Sequence, residues 1–590
     1  MSAPGTRQAP PTGWLSRHVP ITSWAPNYER RWLRPDLIAG LTVAALVVPK
    51  NLGYAEIAGV PIENGLYAVA ASTILYALFG TSRQLSTGPS AALAALAGSA
   101  VLLSGLPTGT EATPLVAAIA LAAGALFLVM SLLRMGWISQ FLSRAVITGF
   151  LCGAAVDVIV GELPKLTGTT GGGDNVWREF GSWVRTIPDA ETATLIVGLT
   201  SLASLLVLKR VAPAVPGALV IVVGGLVASA ALDLGAMGVA LVGEVPRGLP
   251  TPSVPDLELV WANLTIIAVA AFGIVAIGFS QTAGDARHFA TKHRYRIDID
   301  QETVAQGMAN LGAGLFQGIP VSTSLSASSL NDSAGARTAL ASLATGGVVV
   351  LTLIAFAPLF SDLPKAVLAA VIIDAVVGGM IDVPELRRLY RVKPFDFWIA
   401  VAAIVGVLTF GVLGGIIVGV ILSLIWLVYI NATPEMPVLG RAPGSHVWRE
   451  LDAHPDDERV PGILAIRLDG GLSFVTADAL GDRIREIAVA ADPPVRAVVL
   501  DCQGIDFIDS QGSAKLREFV ELARLNQVVF RLARVKPSVM EILARDGVVA
   551  ELGSDRIHAD VHEAVTAQLG SDRAADAGTP QGHPPSALGR

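Results

Sequence analysis

G-I-P-V-S-T-S-L-S-A-S-S-L-N-D-S-A-G-A-R-T, running from Gly318 to Thr338, decides how the rest of the chain is read. It is short, rich in hydroxyls and broken at its start by Gly318 and Pro320, yet long apolar segments flank it on both sides. Lipid offers no partner for unpaired backbone, and each orphan N–H or C=O there costs several kcal/mol. The stretch is therefore expected to be a short helix starting near Ser324, buried in protein, with its N-terminus at mid-membrane. Free amides and the positive dipole end at such a terminus suit an anion. Ser86-Thr87-Gly88-Pro89-Ser90-Ala91, followed by small residues to Ala100, has the same character. Two interrupted segments in corresponding places of two halves point to the binding site of a transporter. Two ordinary polar loops are the plainer reading of the same residues.

The flanking composition sets the class. Of 590 residues, 52% are hydrophobic and 15% charged, where a soluble domain is nearer a quarter charged. Apolar runs lie near 37–58, 62–80, 114–133, 141–161, 192–208, 217–236, 263–284, 301–317, 340–357, 365–381, 396–411 and 413–430. With half-helices near 88–101 and 324–334 they make about fourteen segments by the length criterion. Arg83, Arg134, Lys209, Arg210, Arg287, Lys292, Arg337, Arg387 and Arg388 fall in alternate loops. The other loops carry Glu162, Asp174, Glu179, Asp189, Glu244 and Asp256 with few cations. The even count puts both termini on one side, and the excess of positive charge makes that side the cytoplasm of a multi-pass cell-membrane protein.

Outside the membrane region, residues 1–35 read as a cytoplasmic arm, since they lack the early apolar core of a cleavable signal. Residues 36–431 form the membrane domain and 432–461 a Pro- and Asp-containing linker. In 462–570, strand-like runs at 462–468, 495–500 and 528–532 alternate with helix-like stretches, the pattern of a small α/β domain. Residues 571–590 have few large apolar side chains and read as disordered. A net charge of −7 speaks against nucleic acid as a partner. Cys152 and Cys502 lie too far apart in sequence to suggest a disulfide framework or metal centre. No phosphate-binding loop signature is present, so direct ATP drive is not expected. Neither enzymatic chemistry nor a cofactor is implied.

Several short motifs in order carry a resemblance. They are Asp36-Leu37-Ile38-Ala39-Gly40-Leu41-Thr42 with Pro49 and Tyr54-Ala55, Gly65-Leu66-Tyr67, Ile297-Asp298 with Gln301-Glu302, and Ala309-Asn310. Asn331 with Ala334-Gly335-Ala336-Arg337-Thr338 completes the set. At these residues the chain resembles the sulfate permease family, also called solute carrier family 26. The resemblance implies two inverted seven-segment repeats forming a core and a gate, usually in a homodimer. It also implies a cytoplasmic sulfate-transporter and anti-sigma-antagonist (STAS) domain with Asp509-Ser510-Gln511-Gly512 at its signature turn. Related antagonist proteins carry a phosphorylatable serine where this chain has Gln511, so a docking or assembly role is expected instead.

Three departures from the family pattern concern the chemistry. Lys50 follows Pro49 where the family commonly has Gln, and counting along the helix puts it roughly 20 Å into a core about 30 Å thick. A cation there needs a cavity or a partner. Ala327 stands where many eukaryotic members carry Arg, so Lys50 is expected to supply the positive potential. Gln281 replaces a common acidic residue, while Asp285, one turn on, keeps a carboxylate on the same helix face. The expected anion site is Lys50, Ser90, Ala91, Gln281, Ser324, Ser326 and Ala327, with Asp285 or Glu56 holding H⁺ or Na⁺. The plainer alternatives are structural ion pairs, Lys50 with Glu56 or Asp285, and Asp285 with Arg287 or Lys292. The expected function is secondary active transport of sulfate, bicarbonate or a dicarboxylate. An uncoupled exchanger or channel and a membrane anion sensor signalling through the soluble domain remain open, while the soluble domain and the motif after Asn331 argue against a nucleobase permease.

Overall fold

The computed structural model describes residues 19–134, 143–172, 176–213 and 215–578. They divide into two compact units that meet between Ser423 and Leu424. In the first unit, eight helices among the described residues are long and apolar enough to cross a membrane. Thr113–Leu132, with 20 residues, rises about 30 Å, the thickness of the hydrocarbon core. Shorter apolar helices stand between them.

Ala91–Ser104 and Leu325–Ser333, of 14 and 9 residues, rise only about 21 and 14 Å, so neither spans. Each follows a two-residue strand, and the two strands pair antiparallel, Thr87 with Thr323 and Gly88 with Ser322. Pairing across the two halves satisfies the backbone that the chain breaks expose in mid-protein. The half-helices expected near 88–101 and 324–334 are therefore present, each starting within three residues of this crossing.

The remaining helices pack in two groups. Leu33–Ile57, Glu63–Phe79, Thr113–Leu132, Leu264–His293, Ile299–Leu315 and Leu340–Leu351 form one. Arg144–Thr167, Thr192–Val211, Gly217–Leu232 and Lys365–Met380 form the other. Leu33–Ile57 faces both, lying against Gly217–Leu232 and Lys365–Met380 of the second group. Close approach depends on missing side chains: a Cβ on Gly65 would sit 1.9 Å from the Asn51 carbonyl oxygen.

Segment ends differ from expectation where polar residues have partners. The segment expected at 141–161 continues to Thr167, because Glu162 and Lys165 pair on its last turns. The one at 263–284 runs on to His293. The last two segments, expected at 396–411 and 413–430, are two helices within Pro394–Ala432 separated by a kink at Gly411, whose φ of 75° only glycine adopts readily. Gly415 and Gly419 pack inside the chain, since Cβ atoms there would lie 2.3 Å from Val407 and 2.4 Å from Val146. Two amphipathic helices, Val176–Thr186 and Val383–Val392, replace expected loops. The first exposes Trp177, Phe180 and Val184, as a helix lying in a membrane interface would.

The second unit holds a four-stranded parallel sheet, Ile463–Arg467, Ala497–Asp501, Val529–Ala533 and Ile557–His558, ordered as in sequence. Helices Ala477–Ala490, Ser510–Leu525 and Pro537–Arg545 connect the strands. The segment read as linker forms an antiparallel hairpin, Leu439–Arg441 with Trp448–Glu450, whose Leu439 enters the core beside Val499 and Val565. Helix Val561–Gly578 likewise runs through the start of the stretch read as disordered. It is held by Gln568, which is buried and accepts from Arg531 at 3.0 Å.

Candidate functional site

The crossing is held by polar side chains from neighbouring helices. Glu302, fully buried, accepts from the Thr81 and Ser82 amides at 2.7 and 2.9 Å and from the Tyr76 hydroxyl, fixing the loop before the first strand. Asn310 clamps the approach to the second: its Nδ2 donates to the Val321 carbonyl at 2.9 Å and its Oδ1 accepts from the Val321 amide at 3.0 Å. Gln306 donates to the same carbonyl at 2.6 Å. Beyond the second half-helix, Asp36 accepts from the Arg337 and Thr338 amides at 2.6 and 3.2 Å and from the Thr338 hydroxyl at 2.7 Å. The acidic start of the first membrane helix thus anchors the exit of Leu325–Ser333. The motifs read from sequence at Asp36, Gln301-Glu302, Asn310 and Arg337-Thr338 are the fixtures of this frame.

Inside the frame the half-helix starts enclose a cavity of about 30 Å³. Lys50, Tyr54, Thr87, Ser324, Ser326 and Ala327 are among its walls. Ser324 caps its helix by accepting from the Ala327 amide at 3.4 Å, and Ser90 caps the other by accepting from Leu93 at 3.5 Å. Lys50 has no carboxylate within ion-pair distance among the described residues. Neither expected structural partner reaches it: Glu56 is 2.8 Å from Lys165, and Asp285 accepts from the Thr323 hydroxyl at 3.0 Å. The Thr87 hydroxyl also lines the cavity and, though 2% exposed, has no hydrogen-bond partner. One cation and one free hydroxyl therefore converge where two helix dipoles point, which is the chemistry that holds a small anion.

The other expected site residues are spread around this cavity. Ser90 and Ala91 adjoin its Pro89 wall but do not line it. Gln281 stands behind, accepting from Ser322 at 2.7 Å, so it orients the second strand. Asp285 holds Thr323 of the same strand. It forms no ion pair with Arg287 or Lys292; Lys292 instead meets Asp332 at 2.6 Å. Glu56 lies apart in a cluster where Lys165 is 2.8 Å from both Glu56 and Glu162. Asp374, an acidic residue within the apolar run at 365–381, is 2.5 Å from Lys209. Thr87, Glu302 and Asn310 were not among the expected site residues. A hydroxyl at the paired position just before a half-helix was the one sequence signal that could have marked Thr87.

A model of the sulfate permease family matches residues 33–403, and a STAS domain model matches 454–564. A probable sulfate transporter of Mycobacterium tuberculosis is 35% identical over 555 residues, covering 92% of this chain and 98% of the relative. The chloroplastic sulfate transporter 4.1 of Arabidopsis thaliana is 31% identical, covering 94% of this chain and 82% of the relative. The fold matches murine solute carrier 26 family member A9 in an inward-facing state, with a TM-score of 0.85 and 21% identity over 96% of this chain and 97% of that one. The membrane domain of the cyanobacterial bicarbonate transporter BicA matches at a TM-score of 0.56 and 22% identity, over 66% of this chain and 98% of that one.

Proposed function

The chain belongs to the sulfate permease family of anion transporters, and from that premise we propose that it moves a small oxyanion by secondary active transport. The observation that carries this reading is the cavity where an unpaired Lys50 and the unpartnered Thr87 hydroxyl meet two half-helix N-termini. Sulfate is the first candidate, because the curated relatives named above are sulfate transporters. Bicarbonate, with one negative charge, and dicarboxylates, with two, offer acceptor oxygens to the same donors.

Coupling to H⁺ or Na⁺ falls to Asp285. Its carboxylate holds Thr323 of the strand that carries the second half-helix, so binding a cation there is linked to the position of the anion's own cradle. Glu56, already engaged by Lys165, is the weaker candidate. The protein works as a homodimer, as its family resemblance implies, with both termini in the cytoplasm, as the loop charges imply.

The test is uptake of labelled sulfate by the full chain in proteoliposomes with equal sulfate on both sides. An inward proton or Na⁺ gradient should drive accumulation. Exchange without accumulation would establish an uncoupled exchanger, and binding without flux would establish a sensor.

A further inference from the structure

Away from the cavity, one lysine is shared by two carboxylates that belong to different helix groups. Glu56 lies one residue before the end of Leu33–Ile57, and Glu162 and Lys165 lie on the last turns of Arg144–Thr167. Lys165 Nζ is 2.8 Å from Glu56 Oε1 and 2.8 Å from Glu162 Oε1. The Glu162 side chain is 5% exposed and that of Glu56 19%. The second oxygen of each, Glu56 Oε2 and Glu162 Oε2, is buried and has no hydrogen-bond partner among the described residues. Glu179, from Val176–Thr186, adds a third carboxylate nearby, since a Cβ on Gly161 would lie 3.7 Å from its Oε1. The other helices packed against Arg144–Thr167 offer Glu162 no second cation among the described residues. Ala91–Ser104 has no charged side chain, and Glu191, at the start of Thr192–Val211, accepts from Thr194 at 3.0 Å. Asp374 of Lys365–Met380 is bound to Lys209, and Glu385 of Val383–Val392 meets Arg144 at the opposite end of the helix.

We propose that Glu162 is a proton site, closed by Lys165 and Glu56, that fastens the ends of these two helices together. With both carboxylates ionised, one ammonium faces two charges, and the second stays buried and uncompensated, which is costly. One proton on Glu162, the more buried of the two, removes that charge and leaves Lys165 wholly to Glu56. Glu56 rides on the helix that carries Lys50, whereas Glu162 and Lys165 ride on a helix of the second group. When the two ends part, Glu56 departs with its helix, Lys165 pairs with Glu162 alone, and the proton leaves. Lys165, 33% exposed, gives it a path to water. On the orientation proposed above both ends lie at the outer face, so the proton returns to the side it came from and drives no accumulation. It sets instead how readily the transporter opens outward, because outside acidity holds the latch shut. The gating role rests on the transport reading; the proton site itself does not.

Infrared spectra of the full chain in lipid at about pH 6, above the range of an ordinary glutamate, read the C=O band of a protonated carboxyl. Subtracting Glu162→Gln from the parent should leave one such band. Subtracting Glu56→Gln should leave the same band, because Lys165 then matches a single carboxylate and Glu162 gives up its proton. A parent without the band, or a band that survives in either variant, would overturn the proposal and leave an ordinary ion pair. Sulfate exchange in proteoliposomes, with equal sulfate on both sides, reads the latch. Acidifying the outside from about pH 8 to about pH 6 should slow exchange by the parent about threefold. Glu56→Gln, which has no latch, should exchange fast at both pH values, and Glu162→Gln, which mimics the protonated site, slowly at both. An acid response in Glu162→Gln equal to the parent's would also overturn the proposal. No flux in the parent, with the infrared result intact, would overturn the transport reading and not the proton site.

Discussion

Replacing Lys50 by Gln removes the one charge in the cavity wall while keeping a side chain of similar length. The size of the effect follows from the surroundings. A unit charge about 4 Å from one negative charge of the anion contributes roughly 4 kcal/mol at an effective dielectric of about 20, and about 1 kcal/mol in water. Each half-helix terminus adds about 0.3–2 kcal/mol. Lys50 has no carboxylate at ion-pair distance among the described residues, so no salt bridge has to break before it meets the anion. Lys50→Gln should therefore weaken sulfate binding more than tenfold, at least ~1.4 kcal/mol. Calorimetry or scintillation proximity on the purified chain measures this directly. Adding Ala327→Arg should recover only part of the loss. Ala327 is 3% exposed and the cavity is about 30 Å³, room for about two waters, so the larger guanidinium must displace its neighbours. Unchanged affinity in Lys50→Gln would refute the reasoning and leave the cavity without a function for its cation.

Asp285→Asn should abolish cation-driven accumulation while sulfate exchange continues, because Asn still accepts from Thr323 but carries no charge. Normal accumulation by that variant would move coupling elsewhere, with Glu56 next in line. Deleting residues 433–590 should leave sulfate binding within about threefold of the full chain, ~0.7 kcal/mol, since every wall of the cavity precedes Asn431. A folded truncation that binds no sulfate would contradict this. In the α/β domain, burial first and the neighbouring Arg531 second hold the His558 ring below its ordinary pKa. Stability from that ring is complete above its unfolded value near 6.5 and is lost as pH falls below it. Protection of the Ile557–His558 amides, corrected for the intrinsic pH dependence of exchange, should fall between about pH 7.5 and about 5.5, and His558→Gln should flatten the response. An equal response in the variant would place the titration on another group.

The discontinuities were legible because apolar sequence and helix-breaking residues cannot coexist in lipid without a protein partner. Gly318 with Pro320, and Gly88 with Pro89, mark both half-helices. Lys50 was legible as an anomaly, one cation in an apolar run. The identity of ion-pair partners was not. Glu56 meets Lys165, on a different helix more than a hundred positions away, and helical register constrains only neighbours three or four apart. Thr87 was missed for a related reason: its free hydroxyl matters only because Thr323 pairs opposite it. In the soluble domain, strands of three residues such as Leu439–Arg441 are too short to show a period of two. The continuation of Val561–Gly578 likewise depends on a tertiary contact, Gln568 with Arg531, that local composition does not announce.

On this reading the anion sits between the two half-helix starts, on Lys50. Selenate, a heavier isoster of sulfate, locates it by anomalous scattering in crystals of the full chain. The expected result is one strong peak inside the cavity, within hydrogen-bonding reach of Lys50 Nζ and the Thr87 hydroxyl, absent from crystals of Lys50→Gln. A peak elsewhere in the membrane unit with this cavity empty, or one of equal strength in the variant, would contradict the account.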